Sequence, residues 1–202
     1  MQTQYQKVKE FMQAFGQECP EKPGIPSIET RLLRWALINE EGCVELDRAS
    51  SRLEEFDAVL DSRYVALGTA IAYGVQEENI CLSHVLEGLP LDELNTNLLK
   101  ATTDSAVRFW VNHILGWVSL AEIQLGFHSW QIHEGFNEVH RSNMSKFWTP
   151  TQANLRFYQD GDIFIKPTPN SGLVVVTNQS GKVIKSPSYS PANLGPILEG
   201  KV

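Results

Sequence analysis

Glu40, Glu41, Glu45, Asp57 and Asp61 have the types and spacing of a hard-cation site. Winding the chain at about 100° per residue gives an apolar arc of Leu33, Leu37, Ile38, Val44 and Ala49 that also contains Glu41 and Glu45, with Glu40 at its edge. In the next helical pattern Asp57 and Asp61 stand one turn apart, on a face shared with Tyr64 and Gly68 and beside Leu60. A buried carboxylate without a partner is either strongly unfavourable or takes up a proton, so inward-facing acids on two adjacent helices call for a shared counter-charge. A divalent cation supplies it. Mg2+ or Mn2+ suits carboxylate oxygens and keeps waters for a polyphosphate, and no His or Cys pairing favours zinc.

Simpler readings exist for some of these residues. Glu40, Glu41 and Glu45 also fit a solvated helix edge. Glu54, counted with the metal ligands, stands three residues after Ser51 in a capping-box arrangement that ties down a helix start. Asp57 and Asp61 are harder to explain that way, because aspartate is a poor helix-interior residue and two at one-turn spacing repel.

The elements that must position these acids follow from periodicity. Residues 3–15 form a short amphipathic helix with Tyr5, Val8, Phe11, Met12 and Phe15 on one side, ended by Gly16. The prolines of CPEKPGIPS break it from a long helix over about Ile28–Ala49, capped by Ser27. A second carboxylate helix runs from about Ser51 to Tyr73 and meets Gly74. The short link makes the two antiparallel neighbours, with the glutamates opposite the aspartates.

Residues 76–103 read as one or two short helices, around HVLEGLP and LDELNTNLLK. A long helix follows from Asp104 to about Phe127, with Val107, Trp110, Val111, Ile114, Trp117, Val118, Ala121 and Leu125 as a core or interface stripe. The last helix spans residues 129–147. After Pro150 the texture changes to short alternating runs, DIFIKP, LVVVTN and KVIK, with Gln179, Ser180 and Gly181 closing a hairpin between the last two. The expected architecture is mainly α: a helical domain over 1–150 with an insertion at about 76–133, and a β-hairpin and loop tail over 151–202 that packs on it.

Composition narrows the function. At 202 residues and a formal net charge of -7, the chain is poorly suited to nucleic acid, whose backbone is bound by Lys and Arg. The three cysteines Cys19, Cys43 and Cys81 are widely spaced, without CxxC, as free thiols in a reducing cytoplasm would be. No signal-peptide pattern and no membrane-length apolar run occurs, so a cytoplasmic protein without a membrane partner is expected.

The blocks VKEF, RLLRWALINEEGCVEL, DAVLDSRYVALGTAIAYG, FNEVHRSNMSK and SGKVIKSPSYSPANL, in that order, resemble the MazG-like branch of the all-α nucleotide pyrophosphohydrolases. That superfamily also holds dimeric dUTPases and phosphoribosyl-ATP pyrophosphohydrolase. The resemblance implies an all-α helical bundle and Mg2+-dependent (or Mn2+-dependent) hydrolysis of a nucleoside triphosphate to a monophosphate and pyrophosphate, in a homodimer or homotetramer. It implies metal ligation by Glu41, Glu45, Asp57 and Asp61, with Glu40 or Glu41 activating the attacking water. It further implies phosphate contacts from Arg141, Asn143 and Lys146, with Lys182, Lys185 and Tyr189 folding over from the tail. A stacking pocket for the base is expected around Phe11, Phe15 and Trp35. A deoxynucleotide is favoured, dGTP slightly ahead and dUTP next.

Two departures from the family pattern stand out. The family's EExxE is here EExxxE, so either Glu41 pairs with Glu45, or Glu40 and Glu41 align with the family pair and Val44 fills the third place. In the family's ExxD, Ala58 occupies the glutamate position, and Asp57 is the substitute. Two rival readings are a nucleotide sensor of the same fold that no longer turns over, and a structural helical oligomer built on the Trp110 and Trp117 helix.

Overall fold

The computed structural model describes residues 2–82, 88–160, 162–168 and 172–201. The chain is mainly α-helical with one small antiparallel hairpin near its C-terminal end. Helix α1 (Gln4–Ala14) starts in a capping box between Thr3 and Gln6. Helix α2 (Ile28–Ile38) begins at Ser27, whose hydroxyl accepts the Thr30 N–H. Helix α4 (Arg52–Ala72) begins at Ser51, whose hydroxyl accepts the Glu54 N–H, and ends before Gly74 at a φ of 71°. Helices α5 (Leu91–Leu99), α6 (Asp104–Gln124) and α7 (Ser129–Met144) follow.

Helix α4 is the centre of the bundle. Fourteen of its residues are buried, from Phe56 to Ala72, as expected of a helix enclosed on nearly every side. Helices α1, α2, α6 and α7 pack around it. The approach of α7 depends on Gly135: a Cβ there would lie 2.6 Å from Leu60 Cδ1 and 2.7 Å from Phe56 Cζ. Inside the bundle Arg63 of α4 forms an ion pair with Glu122 of α6, both buried, and Arg63 Nη2 also donates to Ser119 Oγ at 3.1 Å. The long α6 helix buries Val107, Val111, Ile114, Val118 and Ala121, with Trp110 and Trp117 half-buried against the same core.

Several expectations need correction. The single helix over 28–49 is interrupted: α2 passes into a π-helical segment, Asn39–Glu45, and then a last α turn, α3 (Leu46–Arg48). After Pro150 comes another helix, α8 (Pro150–Asp160), where alternating runs were expected to begin; Thr149 caps it by accepting the Gln152 N–H at 3.2 Å. The hairpin joins the first two runs, β1 (Phe164–Pro167) to β2 (Val174–Thr177), with Ile165 opposite Val176. The KVIK run does fold back on β2 through the expected turn at Gln179–Gly181: Thr177 and Val183 form an antiparallel bridge, Asn178 N donates to the Lys182 carbonyl at 3.0 Å and Ile184 N to the Val176 carbonyl at 2.8 Å. A short turn of helix, α9 (Gly195–Leu198), lies in the region expected to be loop.

The short helix expected around HVLEGLP falls at residues 83–87, outside the described residues. The tail has a small core of its own, formed by Trp148, Ala153, Ile163, Val174 and Val176, while Val175, Leu194 and Ile197 join the main core. All three cysteines are half-buried. Among the described residues no helix is long and apolar enough to cross a membrane.

Candidate active site

The extra residue of EExxxE is taken up by the π-helical segment. A π turn bonds i to i+5, one residue more than an α turn, so Glu40 and Glu45 sit about one turn apart and Glu41 lies beside them. Carboxylate oxygens of Glu40, Glu41 and Glu45 all come within 4.8 Å of one another. The segment thus keeps all three glutamates together, the arrangement in which Glu41 pairs with Glu45. Gly42, buried on the opposite side, lets the segment press on α5: a Cβ there would meet Leu91 Cδ2 at 2.4 Å.

These three acids form one end of a cleft of about 460 Å³, which Asp57 and Asp61 of α4 also line. The two aspartates are outside the 4.8 Å group but electrostatically joined to it. Burial, then Asp61, Glu45 and Glu40, push the Glu41 carboxyl up to about 8. Burial, then Asp57, push Asp61 up to about 7, against the pull of Lys146. Burial and Glu45 also raise Asp57. Carboxyls that hold protons at such pH lack positive charge, and clustered carboxylate oxygens are the donor set of a hard divalent cation. The acidic group fits Mg2+ or Mn2+.

The opposite wall is basic and polar: Asn143 and Lys146 from the end of α7, with Lys182, Lys185 and Tyr189 from the segment after β2. Burial holds the Lys146 ammonium below its ordinary value despite the nearby Asp61, and it donates to Asn143 Oδ1. Lys182 Nζ reaches Glu40 Oε2 at 2.5 Å. Lys185 Nζ stands 4.7 Å from the centre of the Tyr189 ring, whose hydroxyl accepts from Ser142. This segment is strapped to α7: Ser190 N donates to Ser145 Oγ at 2.9 Å and Asn193 N to Glu138 Oε1 at 2.8 Å.

Other residues expected in the site lie elsewhere. Arg141 is not on the cleft wall; its guanidinium is held by Glu138, Ser190 Oγ and the Pro191 carbonyl, so it fastens the strap. Glu54 caps α4, accepting the Ser50 N–H and hydroxyl at 2.7 Å. Phe15 is buried and stacked on Phe147 at 4.2 Å, and Trp35 is half-buried with its carbonyl accepting from Asn95 Nδ2. Neither Phe15 nor Trp35 lines the cleft.

A smaller cavity of about 100 Å³ opens beside the cleft and shares Glu41, Asp61, Asn143, Lys146 and Lys182 with it. Its remaining wall is mostly apolar, with Phe11, Leu33, Leu37, Tyr64 and Val65, and carries the polar groups of Gln17 and Arg34. Sequence reasoning missed Arg34. A signal existed, since Arg34 precedes Glu41 by seven residues and so lies two turns away on the same helix face.

Residues 8–84 match the family model of phosphoribosyl-ATP pyrophosphohydrolase. The match takes in part of α1, all of α2, and the π-helical segment and α4, the last two of which carry the acids. No curated protein and no solved structure matches the chain at a significant level. Over residues 8–84, therefore, the chain is similar to phosphoribosyl-ATP pyrophosphohydrolase, of the MazG-like, all-α NTP pyrophosphohydrolase superfamily.

Proposed function

We propose that the protein is a Mg2+-dependent (or Mn2+-dependent) pyrophosphohydrolase that cleaves a deoxynucleoside triphosphate between its α and β phosphates. One observation carries the reading: an acidic group that fits a hard cation faces a basic wall across a single cleft. A polyphosphate with its divalent cations needs that pairing of opposite walls.

Glu41, Glu45, Asp57 and Asp61 would hold the cation, whose charge stabilises the phosphoryl oxygens and lowers the pKa of a bound water. Glu40 or Glu41 orients the attacking water and takes its proton. The water oxygen forms a new bond to phosphorus, the bridging P–O bond between the α and β phosphates breaks, and pyrophosphate leaves with the electron pair. Lys146 and Asn143 contact the phosphates from α7. Lys182, tethered to Glu40 before substrate enters, turns to the polyphosphate tail, while Lys185 and Tyr189 close the open side. A homodimer or homotetramer is the assembly in which such a cleft would be completed, because the cleft lies open to solvent in one chain.

The test is incubation of the purified protein with each common NTP and dNTP plus Mg2+ or Mn2+, with product separation and Asp61→Asn as the control. Monophosphate and pyrophosphate from one or a few substrates, absent with the variant, is the expected result. Cation and nucleotide binding without any cleavage would instead identify a sensor of the same fold.

A further inference from the structure

Arg34 is 6% exposed, and no carboxylate pairs with it among the described residues. A guanidinium carries five N–H donors. Here Nη2 is given two acceptors, Gln17 Oε1 at 2.5 Å and the weak Met12 Sδ at 3.6 Å, while the buried Nε has none. The charge therefore sits in an apolar wall with more donors than acceptors, an arrangement that disfavours folding unless it serves a ligand. Burial alone pulls its pKa down to about 10. Room is made for it by Gly68 of α4, where a Cβ would lie 2.9 Å from Arg34 Nη1.

We infer that the small cavity is the base pocket and that Arg34, braced by Gln17, selects guanine through the paired acceptors of its O6 and N7 edge. The inference rests on the pyrophosphohydrolase reading of the adjoining cleft, since at the junction of the two cavities Lys146 and Asn143 would receive the phosphates beside the cation that Glu41 and Asp61 would hold. The fork of an arginine matches two neighbouring acceptors, and guanine presents O6 and N7 side by side. Adenine places an amino donor beside its N7 and so turns like against like. The flat rings of Phe11 and Tyr64, 5.7 Å apart and set edge to face, give the base an aromatic wall. Gln17, which lines the same cavity, fixes the orientation of the guanidinium by accepting from it.

The test is calorimetric binding of dGMP, dAMP, dCMP and 7-deaza-dGMP in Mg2+ buffer to the wild type, Arg34→Met and Arg34→Lys. The wild type is expected to favour dGMP over dAMP by at least about tenfold and to lose most of that margin with the 7-deaza analogue. In both variants the dGMP to dAMP ratio falls towards one, Arg34→Lys included, because it keeps the charge and loses the fork. The melting temperature of Arg34→Met should hold or rise, since an apolar side chain replaces an unpaired charge.

A wild type that prefers dAMP or dCMP overturns the inference. So does a variant that weakens every nucleotide alike, or a large fall in melting temperature. Turnover measured in parallel separates the two readings. Hydrolysis with no base preference that responds to Arg34 overturns this inference and leaves the pyrophosphohydrolase reading in place. Selective dGMP binding without hydrolysis of any nucleotide supports the inference and overturns that reading.

Discussion

Glu40 and Glu45 are five residues apart, yet their carboxylates share a 4.8 Å cluster with Glu41 because the backbone between them is π-helical. Removing the extra residue should let the segment wind as an α-helix and restore an EExxE spacing. Deletion of Val44 is therefore expected to preserve the rise in melting temperature caused by millimolar Mg2+. Insertion of one alanine after Val44 carries Glu45 away from the other two and should abolish it. Thermal melts with and without the cation distinguish the two outcomes.

Neutralising an acid in the cleft should have opposite effects on stability and function. Glu41→Gln and Asp61→Asn relieve repulsion in the cation-free protein, so its melting temperature should hold or rise. Both variants should lose the Mg2+-dependent stabilisation, and any turnover should fall by at least about a hundredfold, as loss of electrostatic stabilisation at a reacting centre typically does. Parallel melts and product assays check this.

The same carboxyls set a pH dependence. Glu41 is raised from 4.5 to about 8 and Asp61 from 3.8 to about 7, so between those limits the folded state binds more protons than the unfolded one. Stability of the cation-free protein is then full below the unfolded values and falls as the pH rises through the folded ones. The loss should be roughly 1–3 kcal/mol after allowance for solvent and neighbouring cations. Added Mg2+ should flatten the slope. Denaturant unfolding at pH 5.5 and about pH 8.5, with and without the cation, measures it.

Glu54→Ala should lower the melting temperature by freeing the Ser50 N–H at the start of α4, while the Mg2+-induced shift stays the same. Loss of that shift would return Glu54 to the metal ligands. The comparison needs only two melts.

The buried Arg63 and Glu122 pair predicts strong non-additivity. Arg63→Met alone leaves a buried carboxylate unpaired and should cost about 3–5 kcal/mol, whereas Arg63→Met with Glu122→Leu should come back close to wild type. A double-mutant cycle from denaturant curves gives the coupling.

Much of this organisation was legible in the sequence because it depends on local rules. Ser27, Ser51 and Gly74 mark helix ends by hydrogen bonding and backbone conformation, and the helical spacing of Val107 to Ala121 reported a buried face. The π-helical segment was visible only as an off-pattern EExxxE, since periodicity arguments assume one winding throughout. Helix α8 was missed because TQANLRFYQD places little apolar surface on one side, Ala153 being its one buried residue among those whose side chains are described. Arg141 reads like a phosphate ligand from its neighbours Asn143 and Lys146, but Glu138 lies one turn before it and claims the guanidinium. Arg34 was hidden for the opposite reason. A charge on an inner face is read as a misfit until the cavity beside it is seen.

The two walls of the cleft come from distant parts of the chain: the acids from residues 40–61, the cations from residues 146–185. During synthesis on a ribosome the carboxylates emerge first, with α7 and Lys182 still to be made. On the proposed reading, a nascent chain at that stage has the acids for a divalent cation but no means of gripping a polyphosphate. On that reading the order of emergence delays nucleotide binding until Lys182 and Lys185 have been made and the strap can close over α7.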